Sequence, residues 1–197
     1  MRSEYTFLAL FPVTLVVVAF APDGLRLWLG SDFAHNSTYL TQLLAIAIFL
    51  NGLSQIPFAH IQGAGRPDLT AKFHLMELPL YAAALVYFAR IGGITGVAAA
   101  WLLRVSIDAA LLFFVSWRML PENRFIVTKL PLMTLGALGL FAYAASANAI
   151  AIRAAFAVVV CAIATYAIWK WLISPAEKRA LSGLRASPAL AWARWRR

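Results

Sequence analysis

Acidic residues are scarce in this sequence: eight Asp and Glu stand against seventeen Lys and Arg in 197 residues, and charged side chains of both signs make up only 13%. So few charges among 62% apolar residues cannot keep the surface of a soluble domain wet, and the mean hydropathy of +0.77 excludes that class in the same way. Cysteine is nearly missing. The single Cys161 excludes an intramolecular disulfide and leaves the redox compartment unread. Catalytic patterns are also missing: there is no glycine-rich phosphate loop followed by Lys and Ser or Thr, no nucleophile elbow, and no metal-ligand spacing among His35, His60 and His74. No enzyme, cofactor or metal is expected.

What the chain has instead is six apolar runs close to the ~20 residues that cross a bilayer core, at 5–21, 39–61, 69–89, 94–119, 130–150 and 154–173. The expected fold is all-α: a polytopic membrane protein with a bundle of six transmembrane helices over 1–173, followed by a basic tail over 174–197. The net charge of +9 could suit nucleic acid, but its distribution argues for lipid. With the N-terminus in the cytoplasm, thirteen Lys and Arg fall on that side and only Arg26, Arg90 and Arg153 on the other. This bias predicts both termini in the cytoplasm and no nucleic-acid partner. Arg2 and the small residues around Ala19 and Ala21 also resemble a signal peptide, but Glu4 and Pro22 argue for an uncleaved first helix.

Pro12, Pro57 and Pro79 fall inside predicted helices, where each removes a backbone donor and frees the carbonyl four residues earlier. The segment from Pro22 to Thr38 reads as a connection, with a short interfacial helix placing Trp28 at headgroup depth. Gly63 to Pro67 reads as a tight cytoplasmic turn, and Gly92-Gly93 as the opposite one. Gly96 and Ala100 have the small-xxx-small spacing that lets a second backbone approach closely. The last two runs carry no intramembrane charge, which suits peripheral helices. In the tail, Ser174 to Glu177 reads as a helix start, and the Trp192 to Arg197 end suits anionic membrane lipids.

Three ionisable residues interrupt the apolar runs: Glu77, Arg104 and Asp108. Each costs about 3 kcal/mol even on lenient insertion scales, so an intramembrane charge points to function. At 1.5 Å per residue, Glu77 lies roughly 8–14 Å above the cytoplasmic face, Arg104 about 15 Å below the outer face, and Asp108 about 6 Å deeper. All three share one layer, and Asn51 and Gln55 fall at comparable depth. Arg104 and Asp108, at i, i+4, can pair along one helix face. The set reads either as a structural lock or as the lining of a cavity for a polar substrate, with His74 one turn from Glu77.

QGAGRPDLTAK at the cytoplasmic turn, HLMELPLY on the next helix, GITGVAAAWLLRVSID on the one after and WLG upstream together resemble the polysaccharide flippases of the multidrug/oligosaccharidyl-lipid/polysaccharide exporter superfamily. The likeness runs from Trp28 to about Leu120. It implies a carrier of two six-helix lobes that moves undecaprenyl-diphosphate-linked oligosaccharides across the bacterial inner membrane. It also implies that Arg104 is a cavity cation for the diphosphate, with Glu77 and Asp108 as partners. Only half the helices of such a carrier are present, which suggests its C-terminal portion and a missing N-terminal half acting in trans. Drug exporters of the same superfamily share the turn and the GITGVAAA start, and a non-transporting membrane protein stays open as an alternative.

Overall fold

A computed structural model of the chain describes residues 3–119, 129–147 and 149–171, without the side chains of 3–5 and 167–171. The described residues form five helices and no strand: α1 (Ser3–Leu29), α2 (Ser31–Gly63), α3 (Pro67–Met119), α4 (Leu130–Ser146) and α5 (Ile150–Trp171). The first three are long and apolar enough to cross a membrane, whereas α4 and the apolar part of α5 are shorter. Helix therefore occupies each of the six apolar runs, the third and fourth being two arms of α3. The helix expected after Ser174 and the segment 120–128 lie outside the described residues.

Internal contacts divide the chain into Met1–Ala157 and Val158–Arg197. The described part of the second unit is the end of α5, where Val158, Val159, Ile163 and Tyr166 are exposed and the Thr165 hydroxyl donates to the Cys161 carbonyl at 2.7 Å. The rest of the description concerns the first unit.

The connection expected between Pro22 and Thr38 is helical instead. Only Gly30 separates α1 from α2, at a φ of 91° that glycine adopts without strain. Helix α1 runs on past Pro22 with side chains of its neighbours on the carbonyls there: Gln42 Nε2 donates to Val18 O at 3.0 Å, and Arg153 Nη1 to Ala19 O at 3.0 Å. Val18 is the residue whose acceptor Pro22 leaves empty. On the other side of Gly30 the polar start of α2 closes on its own backbone. Asn36 donates to Asp32 O, Thr38 to Ala34 O and Thr41 to Ser37 O. Trp28, 81% exposed at the junction, stands where an interfacial indole was expected.

Helices α1, α2 and α4 share an aromatic core. Phe7, Phe11, Phe49 and Phe141 pack in a closed ring of four contacts with centroids 5.0–5.8 Å apart, above the fully buried Leu15, Val18 and Leu53. A Cβ at Gly52 would run into Leu10, so the glycine admits that leucine between the helices. Leu130, Thr134, Ala137, Phe141 and Ala144 recur at helical spacing along the buried face of α4. That face is part of the core shared with α1 and α2.

The turn between α2 and α3 forms as its glycines require. Gly65 takes φ 75°, Ala64 N–H donates to His60 O, and Arg66 N–H to Ile61 O, after which Pro67 starts α3. Asp68 is flanked by Arg66 at 3.1 Å and Lys72 at 3.8 Å; the hydrogen bond from Arg66 holds its carboxyl below the usual carboxylate range.

Helix α3 reverses at Gly93, where φ is 54° and ψ −135°. Beyond it, Gly96 lies so close to the preceding arm that a Cβ there would overlap the Phe88 carbonyl. The small residue at Gly96 therefore brings two arms of the same helix together.

Two consequences can be measured by thermal or denaturant unfolding in detergent. Gly96→Leu should prevent the arms from closing and abolish a cooperative transition, whereas Gly92→Ala, with open space around it and no positive φ, should be nearly neutral. Gln42→Ala should lower stability by about 1–2 kcal/mol, since it leaves the Val18 carbonyl without a partner.

Candidate functional site

The reversal at Gly93 decides which side chains of α3 meet. His74, Glu77 and Tyr81 follow one another at i+3 and i+4 on the first arm; Arg104 and Asp108 stand at i, i+4 on the second. Glu77 and Asp108 are equally far along the chain from the Gly92–Gly93 bond, as are Tyr81 and Arg104, so the hairpin sets them level.

Glu77 and Asp108 are buried, at 6% and 7% exposure. Arg104 Nε lies 3.8 Å from Glu77 Oε2, and its guanidinium carbon sits 5.4 Å from the centre of the Tyr81 ring. His74 Nδ1 is 3.9 Å from Glu77 Oε2 and 3.6 Å from Asp108 Oδ1, with the Phe58 ring of α2 at 6.0 Å from its own. These separations exceed hydrogen-bonding distance. His74 Nδ1, both Glu77 oxygens and Asp108 Oδ1 are all buried without a hydrogen-bond partner. Arg104 thus stands beside Glu77, and His74 lies between Glu77 and Asp108, in a largely apolar surrounding.

Beside this cluster the arms leave a cavity of about 210 Å³, walled by Leu80, Tyr81, Ala84, Leu103 and Ile107 and bounded at its charged end by Glu77 and Arg104. Such a space combines an apolar wall with one cation, a combination able to receive an amphipathic anion.

Of the residues singled out by sequence, Glu77, Arg104 and Asp108 come together, but Arg104 meets Glu77 and not Asp108. Its place over Tyr81 holds its head at that level, a turn away from Asp108, which faces His74 instead. Asn51 and Gln55 do not join the cluster: both are exposed on α2 and make no side-chain hydrogen bond or ion pair. The buried side of that stretch of α2 is formed by Leu53, Ser54, Pro57 and Ile61. Depth alone had aligned the two amides with Glu77; the rotation of α2 about its axis turns them away.

His74 was noticed only as a neighbour of Glu77, and Tyr81 not at all, although its i+4 spacing from Glu77 was available. A second charged site was also missed. Arg153, counted from sequence as an exposed outer-side residue, is buried at 7% and pairs with Asp23 at 2.9 Å. Together with Arg26, Thr38 and Gln42 they line a polar pocket of about 460 Å³ between the ends of α1, α2, α4 and α5. Residues so far apart in sequence, on different helices, carry no shared periodicity that could announce this contact.

No family model matches the chain, and no solved structure matches it. Over 113 residues it is 35% identical to a protein of Shigella flexneri named "Putative O-antigen transporter"; the match covers 57% of this chain and 27% of that protein. The chain therefore matches about a quarter of the length of this relative. The likeness agrees with the polysaccharide-transporter part of the resemblance.

Proposed function

We propose that this chain is part of a transporter that moves undecaprenyl-diphosphate-linked oligosaccharides across the bacterial inner membrane, with both termini in the cytoplasm. The observation that carries the reading is Arg104: an intramembrane guanidinium, one third exposed, which opens on an apolar-walled cavity while its carboxylate partner lies at 3.8 Å. A planar guanidinium binds phosphate oxygens in pairs, and an apolar wall beside it suits the isoprenoid part of such a substrate. The partial likeness to an O-antigen transporter supports the class of cargo. Glu77 holds Arg104 when no anion is present, which avoids leaving a cation single in hydrocarbon.

A carrier of this kind alternates access by moving one repeat against another around a site at their interface. This chain supplies one wall, and a matching N-terminal half acting in trans would supply the other. In a bacterium lacking its own flippase, co-expression of both halves should restore surface polysaccharide, and this chain alone should not. Arg104→Gln should lower the restored amount at least about tenfold, equivalent to ~1.4 kcal/mol, while Arg104→Lys keeps part of it. Full activity of Arg104→Gln would overturn the role given to this residue.

The orientation is tested separately. Reporter fusions after Gly30, Gly65, Gly93, Asn123 and Asn148 should alternate outside, inside, outside, inside, outside. Two successive fusions on one side would refute six crossings.

A further inference from the structure

We infer that His74, Glu77 and Asp108 form a binding site for one divalent transition-metal ion of the zinc kind, held between the two arms of α3. Each residue offers one ligand atom, and the three atoms lie within 4.8 Å of one another. Separations of 3.6 and 3.9 Å from His74 Nδ1 to the two carboxylates are too long for hydrogen bonds. They are near the spacing of donors that share a central ion, since ligands about 2.0–2.2 Å from a tetrahedral metal stand roughly 3.4 Å apart. A small inward turn of the carboxylates completes three bonds and leaves a fourth position open on the half-exposed His74 side.

A second observation points to a ligand. Buried polar atoms are almost always hydrogen-bonded, yet His74 Nδ1, Glu77 Oε1, Glu77 Oε2 and Asp108 Oδ1 have no hydrogen-bond partner, and the two acids that carry three of them are more than nine-tenths buried. Unsatisfied atoms of three residues thus gather within 4.8 Å of one another from two arms. The geometry agrees as well, because Arg104 lies by Glu77 and leaves Asp108 with His74 Nδ1 as its neighbour at 3.6 Å.

The donor set selects the class of ion. An imidazole nitrogen with two carboxylates suits zinc, cobalt or related ions, whereas magnesium and calcium take shells of six or more oxygens. The same geometry gives occupancy a consequence. Arg104 and the ion compete for Glu77, so a bound metal releases the guanidinium from its carboxylate and leaves it over Tyr81, facing the cavity. This consequence rests on the transport reading, whereas the site itself does not.

The test uses the full chain, purified in detergent and stripped with a chelator, and titrated with Co²⁺ as a spectroscopic probe. One Co²⁺ per chain should bind with visible ligand-field bands, and Zn²⁺ should displace it. His74→Ala, Glu77→Gln and Asp108→Asn should each weaken binding at least tenfold, while His35→Ala and His60→Ala leave it unchanged. Arg104→Gln should bind as tightly as the original chain or more so. Zn²⁺ should also raise the melting temperature of the unsubstituted chain, reversibly with chelator, a readout that does not depend on any variant folding. The absence of a saturable Co²⁺ spectrum, or binding that survives Glu77→Gln and Asp108→Asn combined, would overturn the inference. Transport activity enters none of these measurements.

Discussion

Gly96 lies against the Phe88 carbonyl, and this close approach fixes the register in which the two arms of α3 run beside each other. A slip of even one residue would rotate the second arm by about 100°, since successive side chains on a helix are spaced at that angle. Arg104 would then leave Tyr81, and Asp108 would leave His74. The charged cluster exists because a glycine sits at that position and because Gly93 can take a positive φ three residues before it. A site made from neighbouring stretches of one helix needs no other element to set its spacing. Helix α2 packs along α3 and brings Phe58 against His74.

The second constraint is electrostatic. Glu77 and Asp108 are buried with oxygens that find no hydrogen bond, which is costly, and Arg104 stands beside only one of them. Apolar packing elsewhere has to offset that cost. The Phe7, Phe11, Phe49 and Phe141 contacts join α1, α2 and α4, and the many aliphatic side chains facing outward, such as Leu75, Leu78 and Leu80, suit surroundings of lipid. The cluster is therefore a local excess of charge supported by a scaffold that carries little of it.

Hydropathy and helix rise were enough to read the apolar runs and the common depth of Glu77, Arg104 and Asp108, because both depend only on position along an axis. Rotation about that axis was harder to read. Asn51 and Gln55 shared the depth but not the face, and no periodicity in α2 separated them clearly from the buried Leu53 and Ser54. Pro22 to Thr38 was read as a connection because the apolar run stops at Ala21. Helix continues through Pro22, with side chains of Gln42 and Arg153 on the Val18 and Ala19 carbonyls, which tertiary structure alone brings there. The metal-like grouping was overlooked for a related reason: histidines were compared with one another, whereas the structure unites one histidine with two acids across a hairpin.

The hydrogen bonds from Gln42 and Arg153 also change what the proline in α1 means mechanically. In an ordinary helix each turn is tied to the next by its own backbone, so its resistance to bending is a property of that helix alone. Around Pro22 the ties come from side chains rooted in α2 and α5, so the stiffness of the joint belongs to three helices together. To flex the C-terminal end of α1 is to pull on Gln42 and on the Arg153–Asp23 pair at once. Motion at this joint is thereby geared to the two helices that hold it.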